Sequence, residues 1–211
     1  MSSVPSTMTA KTKEQLSIVF ANLIDIKSRL LRHCTLWCIK GPSLGASAGV
    51  TAIVQEEDGH VTILRKLRDA QGLNGAETAV SIPYLQETPK TWTQLIVDLY
   101  MFDTFASRVI TNFKNSSSDD IANTIPKMIE EELYHEQFSK EWALILAASD
   151  NFKQEFADEF KRALISYDGM ADHFRSDALV QERIIAEEIG AIHQTYRDEM
   201  VAEFAKRKDI A

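Results

Sequence analysis

Two short motifs carry the chemistry this chain could do: Glu57-Asp58-Gly59-His60 and Glu132-Leu133-Tyr134-His135. On a helix, residues i and i+3 share a face, so each unit aims a carboxylate and an imidazole at one point. Paired Glu-x-x-His units are how a four-helix bundle builds an interior site for two iron or manganese ions. One unit would say little. Two, each in the middle of a seven-residue apolar repeat, form a donor set that suits iron, or alternatively manganese, better than zinc, which uses fewer carboxylates.

The elements that must position these residues read as helices. Over about 43–70, Ala46, Val50, Ile53, Glu57, His60, Leu64 and Leu67 follow alternating steps of three and four, and in the segment that ends near 148 Ile125, Met128, Glu132, His135, Ser139, Trp142 and Leu146 do the same. A helix over 91–115 gives Trp92, Ile96, Leu99, Asp103, Ala106, Ile110 and Phe113, and one over 12–39 gives Leu16, Phe20, Leu23, Lys27, Leu30, Cys34 and Trp37. Such stripes are the seams of left-handed, near-antiparallel bundles. The ionisable residues on these seams, Lys27, Glu57, His60, Asp103, Glu132 and His135, all fall near mid-helix. They therefore meet at one level, where buried charge costs on the order of several kcal/mol per group unless it is paired or ligates metal. Two solutions are open: a metal centre, or a metal-free cluster in which Lys27 and the imidazoles neutralise the carboxylates.

Punctuation along the chain sets the boundaries. The first helix stops before Gly41-Pro42, and the second is closed by Gly72 and Asn74-Gly75. A Pro-bearing connection over 75–90 is long enough to cross the end of a bundle, and Ser116 to Asp120 supply N-cap chemistry for the fourth helix. Pro126 either kinks that helix or lies in its first turn. Two further helices are expected over 152–174 and 177–206. The expected architecture is all-α, a single domain over 12–211 behind a disordered tail at 1–11.

Composition agrees and excludes some functions. Of 211 residues 45% are apolar, enough for one core, and 8 Gly with 5 Pro leave long runs to helix formers. A formal net charge of −8 with no basic face argues against nucleic acid and against anionic membranes. The first residues lack a signal-like apolar region, and no run approaches the roughly 20 apolar residues of a membrane span, so the sequence reads as a soluble cytoplasmic protein. Cys34 and Cys38, four apart on one helix, are expected as free thiols. His33, His173 and His193 lie off the ligand seams and read as surface or satisfied core residues. Glu56, Asp58, Glu130, Glu131 and Glu136 read as solvated helix faces. Tyr134 and the three tryptophans read chiefly as packing.

These residues resemble a known family: the catalytic, ferritin-like subunit of the multicomponent phenylacetyl-CoA monooxygenase, an epoxidase, and its non-catalytic sister subunit. Gln55-Glu56-Glu57-Asp58-Gly59-His60 resembles that subunit's first Glu-x-x-His helix, including the Gly before the His, and Glu131-Glu132-Leu133-Tyr134-His135 resembles the second. Trp37 and Pro42 stand at matching distances ahead of the first motif, Trp92 and Asp103 match the helix between the motifs, and Ser176-Asp177-Ala178-Leu179 resembles the start of a later helix. The resemblance implies a ferritin-like four-helix bundle with two additional C-terminal helices. By it Glu57, His60, Asp103, Glu132 and His135 would be iron ligands, for oxygen insertion fed by a separate reductase.

The departure is on the first helix. Where the catalytic subunit has a Glu ligand, this chain has Lys27, unless a register shift brings in Asp25. A protonated lysine cannot ligate. Four carboxylates balance two divalent ions; three carboxylates with one ammonium balance one. The leading expectation is a metal-dependent oxygenase or oxidase acting on a small organic molecule, with a CoA thioester among the candidates. It would hold one or two iron or manganese ions, or none if the site is degenerate. Lys27 would be catalytic, pairing with a bridging carboxylate or donating a proton to reduced oxygen. Expected partners are a reductase or sister subunit in a homo- or hetero-oligomer. The alternative is a non-catalytic scaffold subunit with a metal-free Lys/carboxylate/His cluster that binds a partner chain.

Overall fold

A computed structural model describes residues 8–73, 79, 81–170 and 173–205. Helix α1 (Ala10–Trp37) opens at Thr9, whose side chain accepts from the Thr12 amide. After the turn at 38–43, α2 (Leu44–Ala70) starts with Ser43 accepting from the Ala46 amide at 3.1 Å. These caps satisfy amides that no helical carbonyl can reach. Gly72, at φ 68°, lies just beyond the end of α2, in the left-handed region that glycine adopts without a Cβ penalty. The Asn74-Gly75 closure and the end of the last helix at 206 lie outside the described residues.

The described part of the connection carries a short helix, α3 (Pro83–Gln86), which buries Tyr84 and Leu85. The third long helix is not continuous α. It runs as α4 (Trp92–Asp98), a π turn at Leu99–Asp103, then α5 (Thr104–Thr111). The fourth is α6 (Asp119–Ala148), with Pro126 inside it, so of the two readings of Pro126 the one that starts the helix there does not hold.

At the C-terminal end, α7 (Lys153–Asp168) stops before Gly169, short of the expected 174. The stretch expected as one helix from 177 is broken into α8 (Asp177–Gln181) and α9 (Ile189–Ala205). The break is held from the end of the third helix as well as by its own backbone. Arg183 takes φ 58°, and Asn112 captures the interrupted backbone, accepting from the amides of Ala186 and Glu187 and donating to the Glu187 carbonyl.

Helices α1, α2, α4–α5 and α6 form a four-helix, ferritin-like bundle: α1 packs on α2, and α6 on α2, α4, the π turn and α5, while α7 covers α4 and α6. The seams face inward, since Leu16, Phe20, Leu23, Leu30, Val50, Ile53, Leu64, Ile96, Leu99, Ile110, Ile125 and Met128 are fully buried. The tryptophans gather toward one end of the bundle, Trp92 edge-on to Trp142 at 5.1 Å and 6.0 Å from Trp37, each only half-buried. Cys34 and Cys38 are free thiols. Among the described residues there is no strand, and no helix is long and apolar enough to cross a membrane.

Candidate functional site

The six seam ionisables converge. Lys27 Nζ lies 2.7 Å from Glu57 Oε1, 2.5 Å from Asp103 Oδ1 and 2.5 Å from Glu132 Oε1, with all four side chains at most 2% exposed. Both imidazoles turn Nδ1 inward. His60 Nδ1 is 3.0 Å from Glu132 Oε1, and His135 Nδ1 is 3.2 Å from Asp103 Oδ2 and 3.3 Å from Glu57 Oε1. The rings stand 5.7 Å apart.

The elements explain why these side chains meet. The i,i+3 spacing brings Glu and His of each motif to one face of α2 and of α6. Asp103 ends the π turn, whose wider winding is closed by the Thr104 amide bonding to the Leu99 carbonyl. An extra residue inside a helix shifts the register of its face, a device frequent at functional sites. Here it sits directly ahead of the one carboxylate that α4–α5 contributes. Four residues on, Ser107 stands between the Asp103 carbonyl, at 2.8 Å, and Glu132 Oε2, to which its hydroxyl is hydrogen-bonded. Nothing in the motif pattern singled out Ser107. Its i+4 spacing from Asp103 was the available signal.

Asp25 does not enter the cluster; it pairs with Arg29 at 2.7 Å near the surface. The register-shift alternative is therefore not what α1 does. Two residues expected on solvated faces do take part. Glu131 Oε2 is 2.9 Å from His60 Nε2, and Glu56 Oε2 is 2.8 Å from His135 Nε2. They were missed because each lies one residue from a ligand-type Glu, about 100° round its own helix, and only the neighbouring helix brings an imidazole to it. The remaining histidines separate cleanly. His33 is buried against Asp98 at 2.8 Å, His193 bonds the Tyr167 carbonyl and stacks on the Tyr167 ring, and His173 is exposed.

Electrostatics make this a set of ions. Burial opposes the charge on Lys27, but attraction to Asp103, Glu132 and Glu57 overrides it and holds the ammonium well above lysine's ordinary range. Burial likewise opposes ionisation of Asp103 and Glu132, yet Lys27 and the imidazoles hold both below the usual carboxylate range. Glu57 differs. Burial pushes it up to about 7 despite Lys27, and Asp103 and Glu132 add to the rise. Its Oε2 is buried with no hydrogen-bond partner, and of the three carboxylates it is the one whose charge the cluster holds least. His60 and His135 are both raised, the hydrogen bonds they donate to carboxylates outweighing burial.

A helix bundle that turns a Glu-x-x-His unit from each of two helices toward one interior level is a carboxylate bundle of the ferritin-like class. The chain belongs to the phenylacetic acid catabolic protein family, whose sequence model matches residues 6–208. No protein of curated function matches it.

The family's catalytic members imply iron, and the donor types are here: ligand atoms of Glu57, His60, Glu132 and His135 all lie within 4.8 Å of one another. The arrangement nevertheless does not fit a metal pair. The oxygens that would face the ions, Glu57 Oε1, Asp103 Oδ1 and Glu132 Oε1, already converge on one ammonium nitrogen. That nitrogen holds the position to which they point.

Proposed function

We propose that this chain is a non-catalytic helical subunit of an oxygenase-type assembly in phenylacetate catabolism, its interior level closed by a lysine in place of metal. The observation that supports this reading is Lys27 Nζ within 2.7 Å of three buried carboxylates. Lys27 and the two imidazoles, all three held above their ordinary ranges by the surrounding carboxylates, offset the inner acids without an ion. Such a buried ionic set contributes little net stability, and in this reading its role is to select one register of the four helices. The work of the subunit then lies at its surface, in holding a sister chain.

A second reading keeps the metal-dependent oxygenase, acting on a small organic molecule such as a CoA thioester with electrons from a reductase. What favours it is the four-donor set around Glu57, His60, Glu132 and His135. One measurement separates the two. Protein produced with Fe(II) or Mn(II) in excess and freed of loose ions should contain no stoichiometric iron or manganese, and should raise turnover only when mixed with a metal-bearing sister subunit. Retention of one or two ions per chain would overturn the scaffold reading and support the oxygenase.

A further inference from the structure

The repeated unit is longer than Glu-x-x-His. It reads Glu56-Glu57-x-x-His60 on α2 and Glu131-Glu132-x-x-His135 on α6, with an acid directly before each inner Glu. Each of these outer acids is four residues ahead of the His on its own helix, a spacing at which the two could pair locally. They do not. Glu131 of α6 meets His60 of α2 at 2.9 Å, and Glu56 of α2 meets His135 of α6 at 2.8 Å.

We propose that Glu56 and Glu131 are positioning residues that orient the imidazole of the opposite helix, so that the functional repeat is a five-residue motif working in crossed pairs. An ionised carboxylate only accepts, so the nitrogen facing it must carry the hydrogen. Each outer Glu thereby fixes Nε2–H outward and leaves Nδ1 turned to the cluster, because a ring flipped about its Cβ–Cγ bond would place carbon against both carboxylates. The crossing also ties α2 to α6 at the level of the cluster. Glu131 is itself steadied by Lys127, whose Nζ is 3.3 Å from its other oxygen. Both outer acids are partly exposed, at 29% for Glu56 and 22% for Glu131, against at most 1% for the imidazoles they hold. They can be replaced without opening the core. The assignment stands independently of whether an ammonium or an ion occupies the centre.

The test is the side-chain nitrogen spectrum of the whole protein labelled with 15N-histidine. In the unsubstituted protein both Nε2–H groups should exchange slowly with solvent. Glu131→Ala should speed exchange at His60 by about tenfold or more, the scale of a lost charge-assisted hydrogen bond, and leave His135 unchanged. Glu56→Ala should do the reverse, and Glu131→Gln and Glu56→Gln, whose amide oxygens still accept, should restore slow exchange. A merely stabilising surface acid would move both histidines together. Free exchange of both groups in the unsubstituted protein, an effect on the histidine of the same helix, equal effects on both, or no effect on either would overturn the proposal. The first of these needs no variant, so failure of a variant to fold leaves the proposal open to refutation.

Discussion

Lys27 carries the largest consequence for a single side chain. Replacing it by Met leaves three buried carboxylates around an apolar stem, so Lys27→Met should destabilise the protein by about 3–5 kcal/mol, the scale for removing one partner of a buried ion pair. Lys27→Glu should cost more without metal, since it adds a fourth like charge, and should be the variant that gains melting temperature when Mn(II) is added. Thermal unfolding of both variants, with and without Mn(II) under anaerobic conditions, measures each effect. If Lys27→Glu melts with the parent and ignores the ion, the geometry on α1 is wrong. At this scale the sequence was informative wherever a charge interrupts an apolar stripe. Lys27, Glu57, His60, Asp103, Glu132 and His135 were all visible in that way. Glu56, Glu131 and Ser107 were not, because a polar residue on a helix surface reads the same whether it meets water or a neighbour's imidazole.

Elements were legible in existence and less so in continuity. The stripes locate α1, α2 and α6 because their periods persist for several turns, whereas the π turn, buried on all sides, lies within a stripe whose steps of three and four run on through Leu99, Asp103 and Ala106 and so hides its inserted residue. The break after α8 depends on Asn112, 74 residues from the first amide it holds, and so had no local signal. Within α2, two glycines show how packing overrides propensity. A Cβ on Gly49 would collide with the Phe138 ring and stand 3.0 Å from the Tyr134 hydroxyl, whereas a Cβ on Gly59 would meet nothing within 4 Å. Alanine in a helix gains roughly 0.5–1 kcal/mol over glycine, and overpacking costs about 1–3 kcal/mol. Gly59→Ala should therefore raise the melting temperature and Gly49→Ala should lower it or leave it level. Differential scanning calorimetry of the two variants checks the ordering; Gly49→Ala proving the more stable would show that α2 and α6 are packed less closely than described.

For the molecule as a whole, stability should depend on pH through a buried acid that lies outside the central cluster. Asp98, at the end of α4, is buried against His33 of α1. Burial pushes its carboxyl up to about 6, although the His33 hydrogen bond and the charges of His33 and Arg162 pull it the other way. In the unfolded chain an aspartate loses its proton near about 3.9. Between these values the folded protein holds a proton that the unfolded chain has released, so this group's contribution falls as pH rises from about 4 to about 6 and stays reduced above that window. The size is on the order of 2–3 kcal/mol at most. Asp98→Asn keeps the shape and a partner for His33 but removes the titration. The variant should gain stability relative to the parent steadily across that window and hold the advantage unchanged up to pH ~8, beyond both values of the acid. The Lys27 cluster is present in both proteins, so the difference between them reports the Asp98 site. Denaturant unfolding at half-unit steps of pH measures it, and a difference that does not vary with pH would mean that Asp98 is ionised throughout and that the α1–α4 contact is a true ion pair.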